Sequence, residues 1–367
     1  MRPLAFIGCG FVADLYMRSL ALYFADLTIV GVYDRDAARQ KEFCEHWDVR
    51  GFEDRDGLFK ALPKGALVLN LTNPAEHNAV STACLEAGYH VFSEKPLTLD
   101  KPEAEALFAL ATKTGLHLAS APSSVLGEAC QTLGHALRSG RVGVPKLVYA
   151  ELDDGFISQA PYKSWKSESG ARWPYQDEFA TGCTLEHAGY YLSWLIAWFG
   201  PVLRVNAASA NVGQAGQAPD YASATLFFAN GVVARLTTSI IASHDHQIRI
   251  FTDKGVLKMA RAWDNSAPVR FHKRFTLRRK LVEHPLGRRI RLAGATHPKV
   301  KRFGAAAMNF ALGPIEMLEA LDAGREPRLA GAYIVHLNEV TLAIQAGQGT
   351  QEMTTTCGAM EPMPWAT

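Results

Sequence analysis

The chain has 367 residues, too many for one small core and enough for two domains. Hydrophobic residues make up 48% and charged residues 20%, the balance of an ordinary globular enzyme, which excludes a disordered or fibrous chain. Net charge is only +2, no apolar run reaches the roughly 18 residues of a membrane span, and no secretory cleavage pattern opens the chain, so a cytoplasmic location is expected.

Residues 1–121 alternate short apolar runs with helical patterns. Strands are expected at Leu4–Gly8, Thr28–Tyr33, Ala66–Leu71, Tyr89–Phe92 and Leu116–Ala119. Helices are expected between them at Val12–Tyr23, Ala37–His46, Glu76–Ala87 and Pro102–Thr112. Nearly continuous apolar strands alternating with helices predict a parallel sheet covered on both faces.

After residue 122 the pattern changes. A helix (Val125–Arg138) and a strand (Pro145–Leu152) lead into a polar, aromatic loop, then an apolar helix over 184–199 ended by Gly200-Pro201. From Val202 to Met259 strand follows strand, with Asn230-Gly231 marking a hairpin. Helices at 305–323 and Tyr333–Ala346 close the domain, and 347–367 reads as an irregular tail. The expected class is α/β: an N-terminal Rossmann doubly wound parallel sheet (1–121), then an α+β domain (122–346) with an open-faced, mostly antiparallel sheet.

Gly8-Cys9-Gly10-Phe11-Val12-Ala13 follows the first strand and opens a helix, a Gly-x-Gly-x-x-Ala fingerprint. Gly8 allows the tight turn, Gly10 lets the backbone approach a pyrophosphate, and Ala13 permits close helix–strand packing. The helix N-terminus offers N–H groups and partial positive charge to the phosphates. Asp34, at the end of the second strand, can accept from the ribose hydroxyls and would repel a 2′-phosphate, which favours NAD. Arg35 and Arg39 soften that preference toward NADP. The six cysteines are scattered without a Cys-x-x-Cys pair, and no metal site is expected.

Two further segments carry a family likeness. Thr72-Asn73-Pro74-Ala75-Glu76-His77 follows the third strand, and Glu94-Lys95-Pro96 follows the fourth. With the fingerprint ahead and a sheet domain behind, this order resembles the Gfo/Idh/MocA oxidoreductases over residues 1–346. The resemblance implies a dinucleotide contacted by Thr72, Asn73, Pro74, His77, Glu94, Lys95 and Pro96. It also implies a cis bond before Pro96 and a homodimer or homotetramer paired through the second-domain sheets. On physical grounds Lys95 sits just past a strand's carboxyl end, where ligands bind in open α/β sheets. Its ammonium can hydrogen-bond a reacting oxygen or lower the pKa of a neighbouring acid/base group.

Gly182-Cys183-Thr184-Leu185-Glu186-His187-Ala188-Gly189-Tyr190-Tyr191 resembles the family's Gly-Gly-x-x-x-Asp-x-Gly-x-His segment, with departures. Aligned on Gly182 and Gly189, His187 takes the Asp position and Tyr191 the His position. Residues four apart on a helix share a face. Tyr191 is therefore a candidate proton relay, with His187 orienting it or acting as the base. A register shifted by one would substitute Glu186 and Tyr190. Trp165, Trp173 and Tyr175 of the aromatic loop are candidates for stacking on a sugar ring; docking of those rings on the domain itself is an equal alternative.

The expected function is hydride transfer between a nicotinamide and a hydroxyl or ketone of a sugar, cyclitol or sugar derivative, an assignment by fold analogy. Two alternatives stay open: a glycosidase or lyase that uses NAD for transient oxidation, and a non-catalytic dinucleotide-binding regulator. Residues 270–302 hold twelve Lys or Arg and one acid, Glu283, so this segment alone carries +11. A solvated arm paired with acids is one reading. The other is an anionic partner, a nucleotide-linked or acidic sugar before a membrane surface, with nucleic acid least expected because no binding motif accompanies the charge.

Overall fold

The computed structural model describes every residue except Ala215. The chain divides into two compact units, the first formed by Met1–Ser123, Ala160–Thr181 and Asn309–Asn338, the second by Ser124–Gln159, Gly182–Met308 and Glu339–Thr367.

The first unit is built on strands β1 (Arg2–Ile7), β2 (Leu27–Tyr33), β3 (Leu67–Asn70), β4 (His90–Ser93) and β5 (Leu118–Ser120). They form one sheet in the order β2-β1-β3-β4-β5, every pair parallel. β3 is buried at all four positions, as a strand covered on both faces must be. Helices α1 (Phe11–Leu20), α2 (Ala37–Trp47), α3 (Arg55–Ala61), α4 (His77–Glu86) and α5 (Lys101–Thr114) connect them. Asp36, Asp54 and Asp100 cap α2, α3 and α5 by accepting first-turn N–H groups, and Gly115 ends α5 in the left-handed region. The short helix α3 is absent from the periodicity reading, because seven residues with one buried position give no apolar stripe.

Two later segments belong to this unit. One is the aromatic loop with helix α7 (Tyr175–Thr181). The buried Asp14 of α1 accepts from the Ser169 N–H and hydroxyl at 3.0 and 2.7 Å and from the Trp47 indole at 2.5 Å. Arg18 pairs with Glu168 at 2.6 Å. The other segment contains helix α9 (Leu312–Asp322), whose Gly313 lies so close to Phe92 that an added Cβ would fall 2.4 Å from the ring. The expected helix over 305–323 is thus shorter, beginning at Leu312.

The second unit carries a ten-stranded sheet. Its strands are β6 (Pro145–Asp153), β7 (Val202–Ala210), β8 (Tyr221–Phe228), β9 (Val233–Ser239), β10 (Ile248–Thr252), β11 (Gly255–Met259), β12 (Val269–Leu277), β13 (Lys280–Glu283), β14 (Arg288–Ile290) and β15 (Gly349–Glu352). The order is β13-β12-β11-β10-β6-β9-β8-β7-β15, with β14 on β12; among the described residues only β6/β9 pair in parallel. The tail is not wholly irregular: β15 adds the edge strand beside β7, and the Met363 N–H donates to buried Gln131 at 3.0 Å. Helices α6 (Glu128–Arg138) and α8 (Gly189–Phe199) belong to this unit, with buried Trp194 donating to Ser124 at 3.1 Å. Helix α10 (Gly331–Ala346) closes the chain's helices. No helix among the described residues is long and apolar enough to cross a membrane.

The basic segment forms β12 and the β12/β13 hairpin at the sheet edge. Its apolar residues do not share one side. Phe275 faces Val282 and Thr276 faces Leu281 across the ladder, so alternation puts Phe275 and Leu281 on opposite faces. Among the described residues, only Lys299 of its twelve basic side chains pairs with a carboxylate, Glu128 at 2.9 Å.

Candidate functional site

In the first unit the chain runs from β1 to β2 on one side and returns to β3 on the other. The carboxyl ends of β1 and β3 therefore flank the switch point of the sheet, where open α/β sheets bind ligands. A cavity of about 290 Å³ opens there, lined among others by Gly8, Gly10, Asp34, Arg35, Thr72 and Asn73. Gly8 has φ +102°, and a Cβ on it would sit 2.5 Å from the Leu71 carbonyl oxygen, so no other residue fits the turn. Gly10, the cap of α1, faces open space: among the described residues a Cβ there would meet no atom within 4 Å. That is the cradle a pyrophosphate needs, at a helix N-terminus, and the residues present fit a dinucleotide.

Asp34 is already part of this loop. Its Oδ2 accepts the Cys9 N–H at 2.7 Å and its Oδ1 the Asp36 N–H at 2.9 Å. Arg39 is tied to the Cys9 carbonyl, to Glu42 and to Ser169, whereas Arg35 stands exposed at the cavity, paired with Glu76 at 3.0 Å. Arg55 also lines the cavity and was not anticipated from the sequence.

His77 is fully buried, its two ring nitrogens against the Pro96 and Thr72 carbonyls at 2.6 and 2.9 Å. It brackets the loops after β3 and β4. Asn73 donates to Asp177 at 2.9 Å, joining the loop after β3 to α7. Buried Glu94 accepts from Tyr16 at 2.6 Å and from the Lys95 N–H at 3.1 Å, and the Lys95–Pro96 bond is cis. Phe11, Val12 and Ala13 form the first turn of α1, as the fingerprint requires. The loop aromatics pack on one another: Trp165 lies 5.1 Å from Trp173, and Tyr162 5.1 Å from Tyr175, between ring centroids.

The second unit holds a separate polar cluster. Residues Thr184–Ala188 form one π-helical turn leading into α8, a local irregularity of the kind found at functional sites. His187 lies in that turn, with its Nδ1 against Oδ2 of Asp154. Asp154 Oδ1 accepts from His246 Nε2 at 2.6 Å. Burial alone would raise the Asp154 carboxyl, but the two imidazoles outweigh it and hold it down at about 2. The ring of His244 lies 4.0 Å from that of His246, and the Trp263 ring lies 4.6 Å from His246 and 6.1 Å from His187. His244 is held below its usual value, first by desolvation and then by His246.

Tyr191 is fully buried, and its hydroxyl donates to the His246 backbone carbonyl. Burial, and after it the charge of Asp245, raises this phenol well above its ordinary value. Glu186 and Tyr190 are buried as well, with the Tyr190 ring 6.0 Å from Trp263. Asp154, His244, His246 and Trp263 are additions of the tertiary structure. The alternation His244-Asp245-His246 ahead of Ile248 and Ile250 is the one sequence signal that marks two of them.

A parallel sheet with an open glycine cradle at its switch point, followed by an antiparallel sheet domain, defines a dinucleotide-dependent oxidoreductase class. Residues 3–121 match the model of the oxidoreductase family with an NAD-binding Rossmann fold, and residues 130–258 match the Gfo/Idh/MocA C-terminal domain. The chain belongs to the Gfo/Idh/MocA family and is an NAD(P)-dependent oxidoreductase. It is 27% identical over 246 residues to UDP-N-acetylglucosamine 3-dehydrogenase of Acidithiobacillus ferrooxidans, covering 67% of this chain and 69% of that one. It is 29% identical over 263 residues to dTDP-3,4-didehydro-2,6-dideoxy-alpha-D-glucose 3-reductase of Streptomyces antibioticus, covering 68% and 74%. Its fold matches the WlbA dehydrogenase of Bordetella pertussis, solved with NADH and UDP-GlcNAcA, with TM-score 0.74 and 16% identity over 96% of this chain and 98% of that one.

Proposed function

We propose that this protein oxidises or reduces a hydroxyl or ketone on a nucleotide-linked hexose. The observation that carries this reading is that two relatives matched over about two thirds of the chain are both named for nucleotide-linked hexoses, and for position 3 of the sugar. The basic edge hairpin supports an anionic substrate, since acids of the same chain leave most of its charge unneutralised. When bound, the dinucleotide supplies the hydride acceptor or donor. Lys95 holds the reacting oxygen and stabilises charge on it. His187 takes or returns the hydroxyl proton through Nε2, because Asp154 occupies the Nδ1 side and fixes the ring. Tyr191 acts at one remove, by fixing the backbone of His246.

The test is a panel of UDP- and dTDP-hexoses and neutral sugars, read at the reduced-nicotinamide absorbance. Net NADH formation is expected with a nucleotide-sugar, and its absence beside substrate breakdown would instead favour transient oxidation by a lyase or glycosidase. The specificity constant is expected to fall as salt rises, since exposed charges are screened over about 10 Å at 0.1 M. Efficient, salt-independent turnover of a neutral monosaccharide would refute the anionic substrate. NAD is expected to bind more tightly than NADP, and Asp34→Ser to erode the difference; tighter NADP binding by the unmodified chain would overturn that preference.

A further inference from the structure

The ladder between β6 and β10 does not stop at the named strand ends. Asp153 and Asp245 exchange both backbone hydrogen bonds, at 2.9 and 3.0 Å, in the register that pairs Ile248 with Ala150. In that register Asp154 lies opposite His244, and His246 follows two residues along. Side chains alternate along a strand, so Asp154, His244 and His246 share the face on which Ala150, Ile248 and Ile250 are buried. Where that face would continue as apolar core, the chain places one carboxylate and two imidazoles instead. Asp154 and His246 are both at most 1% exposed in their side chains.

The three side chains offer ligand atoms within 4.8 Å of one another, and the closest measured pair, Asp154 Oδ1 and His246 Nε2, is 2.6 Å apart. Ligand atoms around a tetrahedral zinc ion stand about 3.3 Å apart, between these two values. Two further observations point to a ligand. The ring of His244 is exposed and lies against that of His246, so a cation can reach the cluster from solvent on that side. The Trp263 indole N–H is buried without a partner among the described residues, and its ring borders the same cluster.

We propose that Asp154, His244 and His246 bind a divalent cation of the zinc class. Two imidazole nitrogens and one carboxylate oxygen form the mixed donor set of an open zinc site, which keeps a fourth position for an oxygen ligand. An oxygen there, from water or a substrate hydroxyl, is the acceptor that the Trp263 N–H lacks. The cation offsets the charge of a carboxylate shut away from water, and it lies beside His187, which shares Asp154 through the other oxygen. Such a site uses no thiol, so the scattered cysteines carry no sign of it.

The experiment uses the untagged full chain without dinucleotide or substrate, so its outcome is independent of the proposed reaction. The protein is stripped with chelator, titrated with Zn²⁺ by calorimetry, and loaded with Co²⁺ for visible absorption. About one equivalent of Zn²⁺ per chain and a ligand-field band of a low-coordinate Co²⁺ site are expected. His244→Ala should weaken Zn²⁺ by roughly tenfold or more and bleach the Co²⁺ band. Because the His244 ring is exposed, that variant should melt at the temperature of the stripped parent, which separates ligand loss from misfolding. Asp154→Asn should bind still more weakly. Absence of binding to the parent chain, or unchanged affinity in the folded His244→Ala variant, overturns the proposal.

Discussion

Lys95→Ala is expected to cut turnover by roughly 10²–10⁴, the range for removing acid–base assistance, while NADH affinity changes little. The residue stands just past the carboxyl end of β4, in the sheet whose switch point forms the dinucleotide cavity. Its backbone N–H is fixed by buried Glu94, which Tyr16 holds in turn. Truncating the side chain leaves that backbone bond intact, so the loop geometry and the glycine cradle should survive. Steady-state kinetics and a fluorescence titration with NADH read the two effects separately. Turnover within a few-fold of the parent would remove Lys95 from proton transfer and charge stabilisation. A parallel loss of NADH affinity would instead make it a cofactor anchor.

His187→Asn and Tyr191→Phe are expected to part company. His187→Asn should lower turnover by roughly 10²–10⁴, because Asn keeps a polar group near the Nδ1 position but cannot exchange a proton. Tyr191→Phe should keep most of the turnover and instead lose stability. The substitution removes the donor to the His246 carbonyl in a fully buried setting, and an unsatisfied buried polar group costs about 1–3 kcal/mol. Turnover numbers and urea midpoints measured on both variants decide it. A dead but stable Tyr191→Phe with an active His187→Asn would return the proton transfer to the tyrosine.

Much of the first unit was legible because its signals are local. Five apolar runs, the glycine pair and an acid at the end of the second strand are properties of contiguous residues. A parallel sheet buried on both faces writes itself as uninterrupted hydrophobic runs. The helix carrying His187 and Tyr191 was legible for the same reason, but its first turn was not. Periodicity assumes 3.6 residues per turn, and a single π turn changes the direction of His187 without changing composition. On a regular helix the i,i+4 spacing would turn both side chains to one face. The turn gives His187 to Asp154, while Tyr191 reaches the backbone of His246.

The sequence by itself determined the dinucleotide fold, the family and the lysine at the end of β4, because strand period, turn glycines and a short motif are all read within a few residues. Only the tertiary structure decided what surrounds His187. Asp154 is 33 residues before it and His246 59 after it, and they meet because the β6/β10 ladder runs on in register past its named ends. The tertiary structure also decided that the tail closes a sheet edge and that the aromatic loop belongs with the first unit. An edge strand of four residues, and a buried aspartate answering a serine 155 positions away, leave no periodic trace, since each is fixed by a partner remote in the chain.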